Sequence, residues 1–216
     1  RDEDLLVLGR ISDGLPLITG GSGIALGLPE NFRARGLLSG TANRWQGQPG
    51  KVAALSGSCS NATRRQVAQH RERHPAREIT AEAVMSGGVT AQALADWALA
   101  QDGIPLIYSS AEPTAVRAAQ QRYGGEAVAA RFEALFAETA RALVAGGVAR
   151  LITAGGETSG AVVEALAPDT MQIGPEIDPG VPAMRAGDNL VLALKSGNFG
   201  ADDFFRKAAD RLEQDA

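Results

Sequence analysis

One short pattern recurs five times along the chain and restricts how it can fold. Each copy has a run of apolar residues, then a turn rich in glycine and serine, then a helix-like segment. The clearest copies are RLITAGGETSG at 150–160 and LVLALKSGNFG at 190–200. Looser copies stand at 15–27, 52–61 and 104–112. Each copy predicts a buried strand whose end directs backbone N–H groups and a helix N-terminus at one place, which suits a phosphate group.

The alternation of short apolar strands with helices predicts an α/β fold, in which a mostly parallel sheet carries helices on both faces. A short antiparallel hairpin is expected near 170–194, with its turn at Asp178-Pro179-Gly180. Ligands of parallel sheets bind beyond the carboxyl ends of the strands. Because all five Gly/Ser turns follow such ends, we expect them to line one crevice.

Local signals predict individual elements. Helices are expected at 4–14, 60–73 and 159–166, and a strand at 16–19. Ser60 or Asn61 is expected to cap the second helix, because their side chains accept hydrogen bonds from free N–H groups. Thr80 and Thr90 are expected to cap two further helices for the same reason. The polar, glycine-rich stretch 39–50 is the best candidate for a flexible connection.

The composition disfavours several kinds of partner and location. The 216 residues carry a net charge of −4 and only 5% aromatic side chains, so neither nucleic acid nor an anionic membrane is an expected partner. No apolar run approaches the roughly 18 residues that a membrane helix needs. The single cysteine, Cys59, allows no internal disulfide, and a cytoplasmic location fits best. A buried, hydrophobic role is favoured for Cys59 over a nucleophilic one, because no base partner is evident.

The standard nucleotide-binding and catalytic fingerprints are absent. The sequence has no GxxxxGK followed by Ser or Thr, and no GxGxxG with an acidic residue about 20 positions on. A dehydrogenase-type dinucleotide domain is therefore disfavoured. No Ser–His–Asp arrangement and no HExxH zinc motif is visible, and no metal-ligating residue is predicted.

The stretch GGETSG is the most specific of the five turns. Gly155 and Gly156 allow a phosphate to approach the backbone closely. Thr158 or Ser159 is able to cap the following helix. Three roles stay open for Glu157: holding Mg²⁺ through water, bonding a ribose hydroxyl, or serving as a capping-box carboxylate.

The turn SGSCS at 56–60 supplies hydroxyl groups and backbone donors before a helix rich in arginine. Arg64 or Arg65 is a candidate for attracting phosphate. A solvated basic face is the favoured interpretation for the remaining cations of that helix, Arg71, Arg73, His70 and His74.

Two other groups of polar residues keep two interpretations each. Lys195 ends a core strand, where it either neutralises phosphate charge or lies at the surface. Glu176 and Asp178 either bind a metal ion or belong to an ordinary Asp-Pro-Gly turn.

Several strings of the sequence, taken in order, resemble the carboxyl-terminal half of the four-carbon acid sugar kinases, and the 3-oxo-tetronate kinases in particular. The strings are GGSGIALGLP, SGSCSNATRRQV, AGGETSGAVVEAL, IGPEIDPGVP and LALKSGNFG. The resemblance implies that 1–216 is the nucleotide-binding, C-terminal domain of a kinase with two α/β domains. The amino-terminal domain, which holds the sugar-acid site and the catalytic base, is expected to be absent from this chain.

The same resemblance implies ATP and Mg²⁺ as cofactors and a set of ATP-contacting residues. These residues are Ser56, Ser58, Gly155, Gly156, Glu157, Thr158 and Gly197. The implied reaction is phosphorylation of a terminal hydroxyl of a sugar acid of the 3-oxo-tetronate, threonate or erythronate type. The chain alone is expected to bind nucleotide and to transfer little phosphate, and homo-oligomers remain open. The alternative is a non-catalytic α/β domain that binds a nucleotide or a sugar phosphate.

Overall fold

A computed structural model describes residues 1–38, 44–109, 111 and 113–215. The chain divides into two compact units, Arg1–Arg44 and Trp45–Ala216. Residues 39–43 of the predicted flexible connection lie outside the described residues. The rest of that connection does not behave as predicted, because the Trp45 side chain is only 4% exposed and its Nε1 donates a hydrogen bond to Gln214 O at 3.1 Å.

The first unit is helical. It contains α1 (Asp2–Ile11), a 3-10 helix (Ser22–Gly27) and α2 (Leu28–Ala34). The strand predicted at 16–19 is wrong, since these residues adopt no regular structure and Leu17 is 83% exposed. The described residues of this unit include no strand with which they could pair, so an apolar run alone does not make a strand.

The second unit is built on a sheet. In the part of the chain that the structure describes, it has seven strands in the order β2-β3-β1-β4-β7-β6-β5. The strands are β1 (Lys51–Ser56), β2 (Ala76–Glu78), β3 (Leu106–Tyr108), β4 (Val148–Ala154), β5 (Met171–Asp178), β6 (Val181–Ala186) and β7 (Val191–Lys195). Strands β2, β3, β1, β4 and β7 are parallel, whereas β6 runs antiparallel to β7 and to β5. The predicted α/β class is confirmed, and so is the antiparallel hairpin, which turns at Asp178–Gly180.

Helices cover both faces of this sheet, as predicted. They are α3 (Asn61–Arg71), α4 (Ala81–Met85), α5 (Ala91–Leu99), α6 (Pro113–Tyr123), α7 (Gly125–Ala145), α8 (Gly156–Leu166) and α9 (Phe204–Glu213). A hydrophobic cluster lies on each face of the sheet. Alternate residues of β1 pack in different clusters, because successive strand side chains point to opposite faces. Ala54 packs in a cluster with residues of α3 and α9, and Leu55 packs with residues of α5, α7 and α8.

Helix caps occur where the sequence indicated them. Ser60, Thr80 and Thr90 each accept a hydrogen bond at 3.2 Å from the backbone N–H three residues on. These bonds close the first turns of α3, α4 and α5. Among the residues described, no helix combines the length and apolar character required to cross a membrane.

Candidate functional site

A cavity of about 590 Å³ opens at the carboxyl ends of the parallel strands. Its floor and one side come from the segments that follow β1, β2, β3 and β4, at residues 57–59, 78–81, 109 and 155–158. The other side comes from α6 and α7. The crevice predicted beyond the strand ends is therefore present, and it has the size of a pocket for a small-molecule ligand.

The N-terminus of α8 opens into this cavity. The helix starts at Gly156, three residues before the predicted start, so the prediction that Thr158 or Ser159 caps it is wrong. Gly155 occupies the cap position with φ +127°, and no side chain among the described residues caps the helix there. The first N–H groups of an 11-residue helix thus have no intrahelical acceptor, and they carry the positive end of its dipole.

The turns after β1 and β4 pack tightly against each other. Gly57 and Ser58 both donate their N–H to Ala154 O, at 3.0 and 3.2 Å. A Cβ on Gly57 would lie 2.2 Å from Thr158 Oγ1, and a Cβ on Gly155 would lie 3.1 Å from Ser58 N. Glycine is required at both positions, because any side chain would force the two turns apart.

The N-terminus of α3 is closed by protein groups, in contrast to that of α8. Gly197 O accepts hydrogen bonds from Ser60 Oγ and from Thr63 Oγ1, the latter at 2.8 Å. A Cβ on Gly197 would lie 2.5 Å from Ser58 Oγ. The turn after β7 therefore covers the start of α3, whereas the N-terminus of α8 stays open to the cavity.

Lys195 supports this arrangement from beneath. Its side chain is fully buried, and Nζ donates to Thr63 Oγ1, Ser196 O and Gly197 O, at 2.9, 3.1 and 3.2 Å. Burial lowers the pKa of Lys195 to about 8. Of the two interpretations from the sequence, the surface lysine is wrong.

The far side of the cavity is mainly apolar, and its residues are not among those predicted for the site. Helices α6 and α7 contribute small and aliphatic residues together with two stacked phenylalanines, Phe132 and Phe136, whose ring centroids are 6.3 Å apart. The smaller residues are Ala115, Val116, Ala119, Val128 and Ala129. The helical spacing of Phe132 and Phe136 indicates only an apolar helix face, and nothing in that spacing distinguishes a cavity wall from a core.

The predicted ATP-contacting residues fall into three positions. Those that line the cavity are Ser58, Gly155, Gly156, Glu157 and Thr158. Ser56 is fully buried at the end of β1, below the cavity floor. Gly197 is not among the lining residues, and it packs closely against Ser58, which is one of them.

Several other sequence-based expectations need correction. Cys59 is half-buried and lines the cavity instead of filling a core. His70 is 6% exposed instead of solvated, and its Nε2 bonds Ile104 O at 2.8 Å. Asp178 accepts hydrogen bonds from Ala201 N and Lys207 Nζ, at 2.9 and 2.8 Å. Both Asp178 and Glu176 belong to the turn, since Glu176 Oε1 accepts from Gly180 N at 3.0 Å.

The acidic groups of the cavity are dispersed. Glu78, Glu133 and Glu157 line it at different positions. Tyr108 Oη donates to Glu78 Oε2 at 3.4 Å, and burial raises the pKa of Tyr108. Within the described ranges, no three acidic, histidine or cysteine side chains converge as they would around a metal ion.

Comparison with known proteins agrees with this geometry. A family model described as a nucleotide-binding C-terminal domain matches residues 53–205. The 3-oxo-tetronate kinase of Burkholderia multivorans is 49% identical over 98% of the chain and 51% of its own length. The 3-oxo-tetronate kinase of Brucella melitensis biotype 1 is 43% identical over 100% of the chain and 51% of its own length. The chain thus spans about half the length of these relatives.

A solved structure is similar over the same extent. A protein of Salmonella typhimurium LT2 superposes with a TM-score of 0.83 at 40% identity, which covers 99% of the chain and 51% of that protein. The resemblance to the four-carbon acid sugar kinases is confirmed by these relatives. Because the family model covers well over half of its length, the chain belongs to the family of nucleotide-binding C-terminal domains.

Proposed function

We propose that this chain is the ATP-binding half of a kinase that phosphorylates a four-carbon sugar acid. The observation that carries the proposal is the cavity with two unlike ends. At one end the uncapped N-terminus of α8 offers the free backbone N–H groups of its first turn, beside the close-packed glycines at 57 and 155. At the other end the α6–α7 wall offers apolar and aromatic surface.

A nucleotide has two parts that match these two ends, a charged phosphate chain and a flat base. Phosphates bind where helix N–H groups point at them, and a nucleobase packs against apolar and aromatic side chains. The Gly57–Thr158 and Gly155–Ser58 contacts hold the donor end rigid, so its geometry is set before the ligand arrives. Ser58, Gly155, Gly156, Glu157 and Thr158 are the proposed direct contacts, and Ser56 and Gly197 are proposed to act by supporting them.

Mg²⁺ fits this site only when it binds together with the nucleotide. The acidic residues described do not form a cage, whereas Mg²⁺ commonly takes one or two carboxylates together with phosphate oxygens and water. Glu157, exposed in the first turn of α8, is the residue placed to approach it. Bound there, Mg²⁺ would neutralise part of the phosphate charge.

The proposed reaction joins this half to a second one. The terminal hydroxyl oxygen of the sugar acid bonds to the γ-phosphorus of ATP, the bond from that phosphorus to ADP breaks, and the hydroxyl proton passes to a base. This chain contributes positioning and charge stabilisation of the nucleotide. The sugar-acid site and the base belong, in this proposal, to the portion of the relatives that the chain does not span, and the enzyme works in the cytoplasm.

Isothermal titration calorimetry of the chain separates the proposal from its alternative. We expect ATP with Mg²⁺ and ADP to bind competitively, and a four-carbon sugar phosphate and NAD to bind weakly or not at all. Tight binding of the sugar phosphate without ATP binding would favour a sugar-phosphate-binding domain and overturn the kinase proposal. A coupled assay for ADP release should show little turnover, and robust kinase activity of residues 1–216 would contradict the assignment of the base to the other half.

A further inference from the structure

Outside the cavity lining, Lys195 contacts three segments behind the phosphate end: helix α3, the turn that follows β7, and the cap residue of α8. Its ammonium donates to Thr63 of α3 and to Ser196 and Gly197 of the turn after β7. Its own carbonyl oxygen accepts the N–H of Gly155, the cap residue of α8, at 2.8 Å. One residue therefore connects the segments that set the position of the α8 N-terminus.

The hydrogen-bond pattern indicates that Lys195 carries its charge. Three acceptors match the three N–H donors of an ammonium, whereas an uncharged amine would offer only two. The pKa, lowered by burial to about 8, still leaves the side chain mainly protonated at pH 7. The ring of Phe204, with its centroid 5.7 Å from Nζ, faces the charge.

No carboxylate balances this charge within the described part of the chain. The acidic residues of neighbouring β5 and α9 have other partners, since Asp178 pairs with Lys207 and Asp203 pairs with Arg206 and Lys207. A buried cation without an anion is costly, and a bound anion nearby would offset part of that cost. The phosphate end of the cavity lies directly beyond, since Gly197 packs on Ser58, a residue of the cavity lining.

We propose that Lys195 is a positioning residue for phosphate: it fixes the loops that present the α8 N-terminus, and its buried charge attracts the polyphosphate of the bound nucleotide. The inference rests on the proposed nucleotide site and adds to it a source of positive charge. It does not require Nζ to touch the ligand, because a charge in a low-dielectric interior acts across a layer of backbone.

The test removes the charge of the Lys195 side chain and keeps its shape. Lys195→Met retains the unbranched stem, and Lys51→Met is the matched control, because it removes the same charge from an exposed lysine at the opposite end of the sheet. Calorimetry is carried out with ATP, ADP and adenosine. For Lys195→Met we expect the affinity for ATP and ADP to fall about tenfold or more, the scale of one charge-assisted interaction, and that for adenosine to change little.

A purely structural role predicts a different result. A general loss of folding or of cavity shape would weaken ATP and adenosine alike, and equal losses would overturn the inference, as would unchanged ATP binding. Thermal melting is the control for folding of Lys195→Met, because the replacement removes a buried charge together with three hydrogen bonds. Lys195→Arg, which keeps the charge, is expected to recover part of the ATP affinity.

A second variant covers the case in which Lys195→Met does not fold. Thr63→Val preserves side-chain shape and removes the hydroxyl that accepts from Nζ and donates to Gly197 O. It should weaken ATP more than adenosine, and equal effects on the two ligands would contradict the inference. Absence of nucleotide binding by the wild-type chain would refute the proposed function itself, which is distinguishable from a failure of the Lys195 variants alone.

Discussion

At the scale of single residues, His70 shows how burial changes an ionisable side chain. Desolvation lowers its pKa from 6.5 to about 4, although the bond to Ile104 O acts in the opposite sense and His74 adds a further lowering. The ring stacks on His74 at 4.8 Å and meets Phe205 edge-on at 5.2 Å. At neutral pH His70 is therefore an uncharged part of the core between α3 and α9.

The lowered pKa of His70 predicts a specific loss of stability in acid. Between pH 6.5 and pH 4 the unfolded chain binds the proton and the folded chain does not, so this contribution to stability is lost as the pH falls. Urea denaturation at pH 7 and pH 4.5 should show the wild type losing roughly 2 kcal/mol more than His70→Gln, which keeps an N–H donor but does not titrate. Equal losses in the two proteins would show that His70 is not responsible.

Gly57 gives the second prediction at this scale. A methyl group there would lie 2.2 Å from Thr158 Oγ1 and 3.2 Å from a ring carbon of Phe136, so Gly57→Ala must displace the Thr158 side chain in the first turn of α8. We expect ATP affinity to fall about tenfold or more, with a stability loss of about 1–3 kcal/mol from overpacking. Gly88→Ala is the control, since its Cβ would meet nothing closer than 3.4 Å. Unchanged ATP binding by Gly57→Ala, measured calorimetrically, would argue against the rigid donor end.

At the scale of helices and strands, the effect of a glycine on stability depends on its backbone conformation as well as on the space around it. Gly160 in α8 and Gly124 before α7 both have open space where a Cβ would point. They differ in that Gly160 has helical backbone, whereas Gly124 has φ +85°. Gly160→Ala should raise the free energy of unfolding by about 0.5–1 kcal/mol, and Gly124→Ala should lower it by about 1–2 kcal/mol. If urea denaturation showed that both substitutions change the free energy of unfolding in the same direction, this explanation would be contradicted.

The sequence predicted elements best where local chemistry determines them. Ser60, Thr80 and Thr90 were identified as caps because a cap needs only its own side chain and a nearby N–H group. The start of α8 was placed three residues late, because Gly155 gives no side-chain signal. The strand expected at 16–19 failed for a non-local reason, since a strand needs a partner that the sequence does not reveal.

The same distinction applies to the candidate site. The turns containing Ser58 and Gly155 follow strand ends, and parallel strands bring such ends together, so their meeting was predictable. The α6–α7 wall was not predictable, because Phe132 has the same spacing whether it faces a core or a cavity. The burial of Lys195 also depends on tertiary packing, namely on the cover provided by Thr63 and Gly197.

At the scale of the whole molecule, the unit Trp45–Ala216 contains every element that the cavity needs. Both hydrophobic clusters of the sheet and all residues described as lining the cavity belong to it. Its first residues are anchored to its own last helix, because Gln48 N donates to Leu212 O at 2.8 Å and Gly47 N donates to Asp215 Oδ1 at 2.8 Å. A chain that starts at Trp45 therefore keeps its starting segment in place.

This organisation predicts that residues 45–216 fold alone and bind ATP. Circular dichroism should give a cooperative thermal transition, and calorimetry should give an ATP affinity within about threefold of the whole chain, a difference of less than about 0.7 kcal/mol. Gly57→Ala in the shortened chain serves as the binding-deficient control and should lower the affinity as it does in the whole chain. A non-cooperative transition, or an ATP affinity reduced about tenfold or more with folding intact, would show that the cavity depends on Arg1–Arg44 as well.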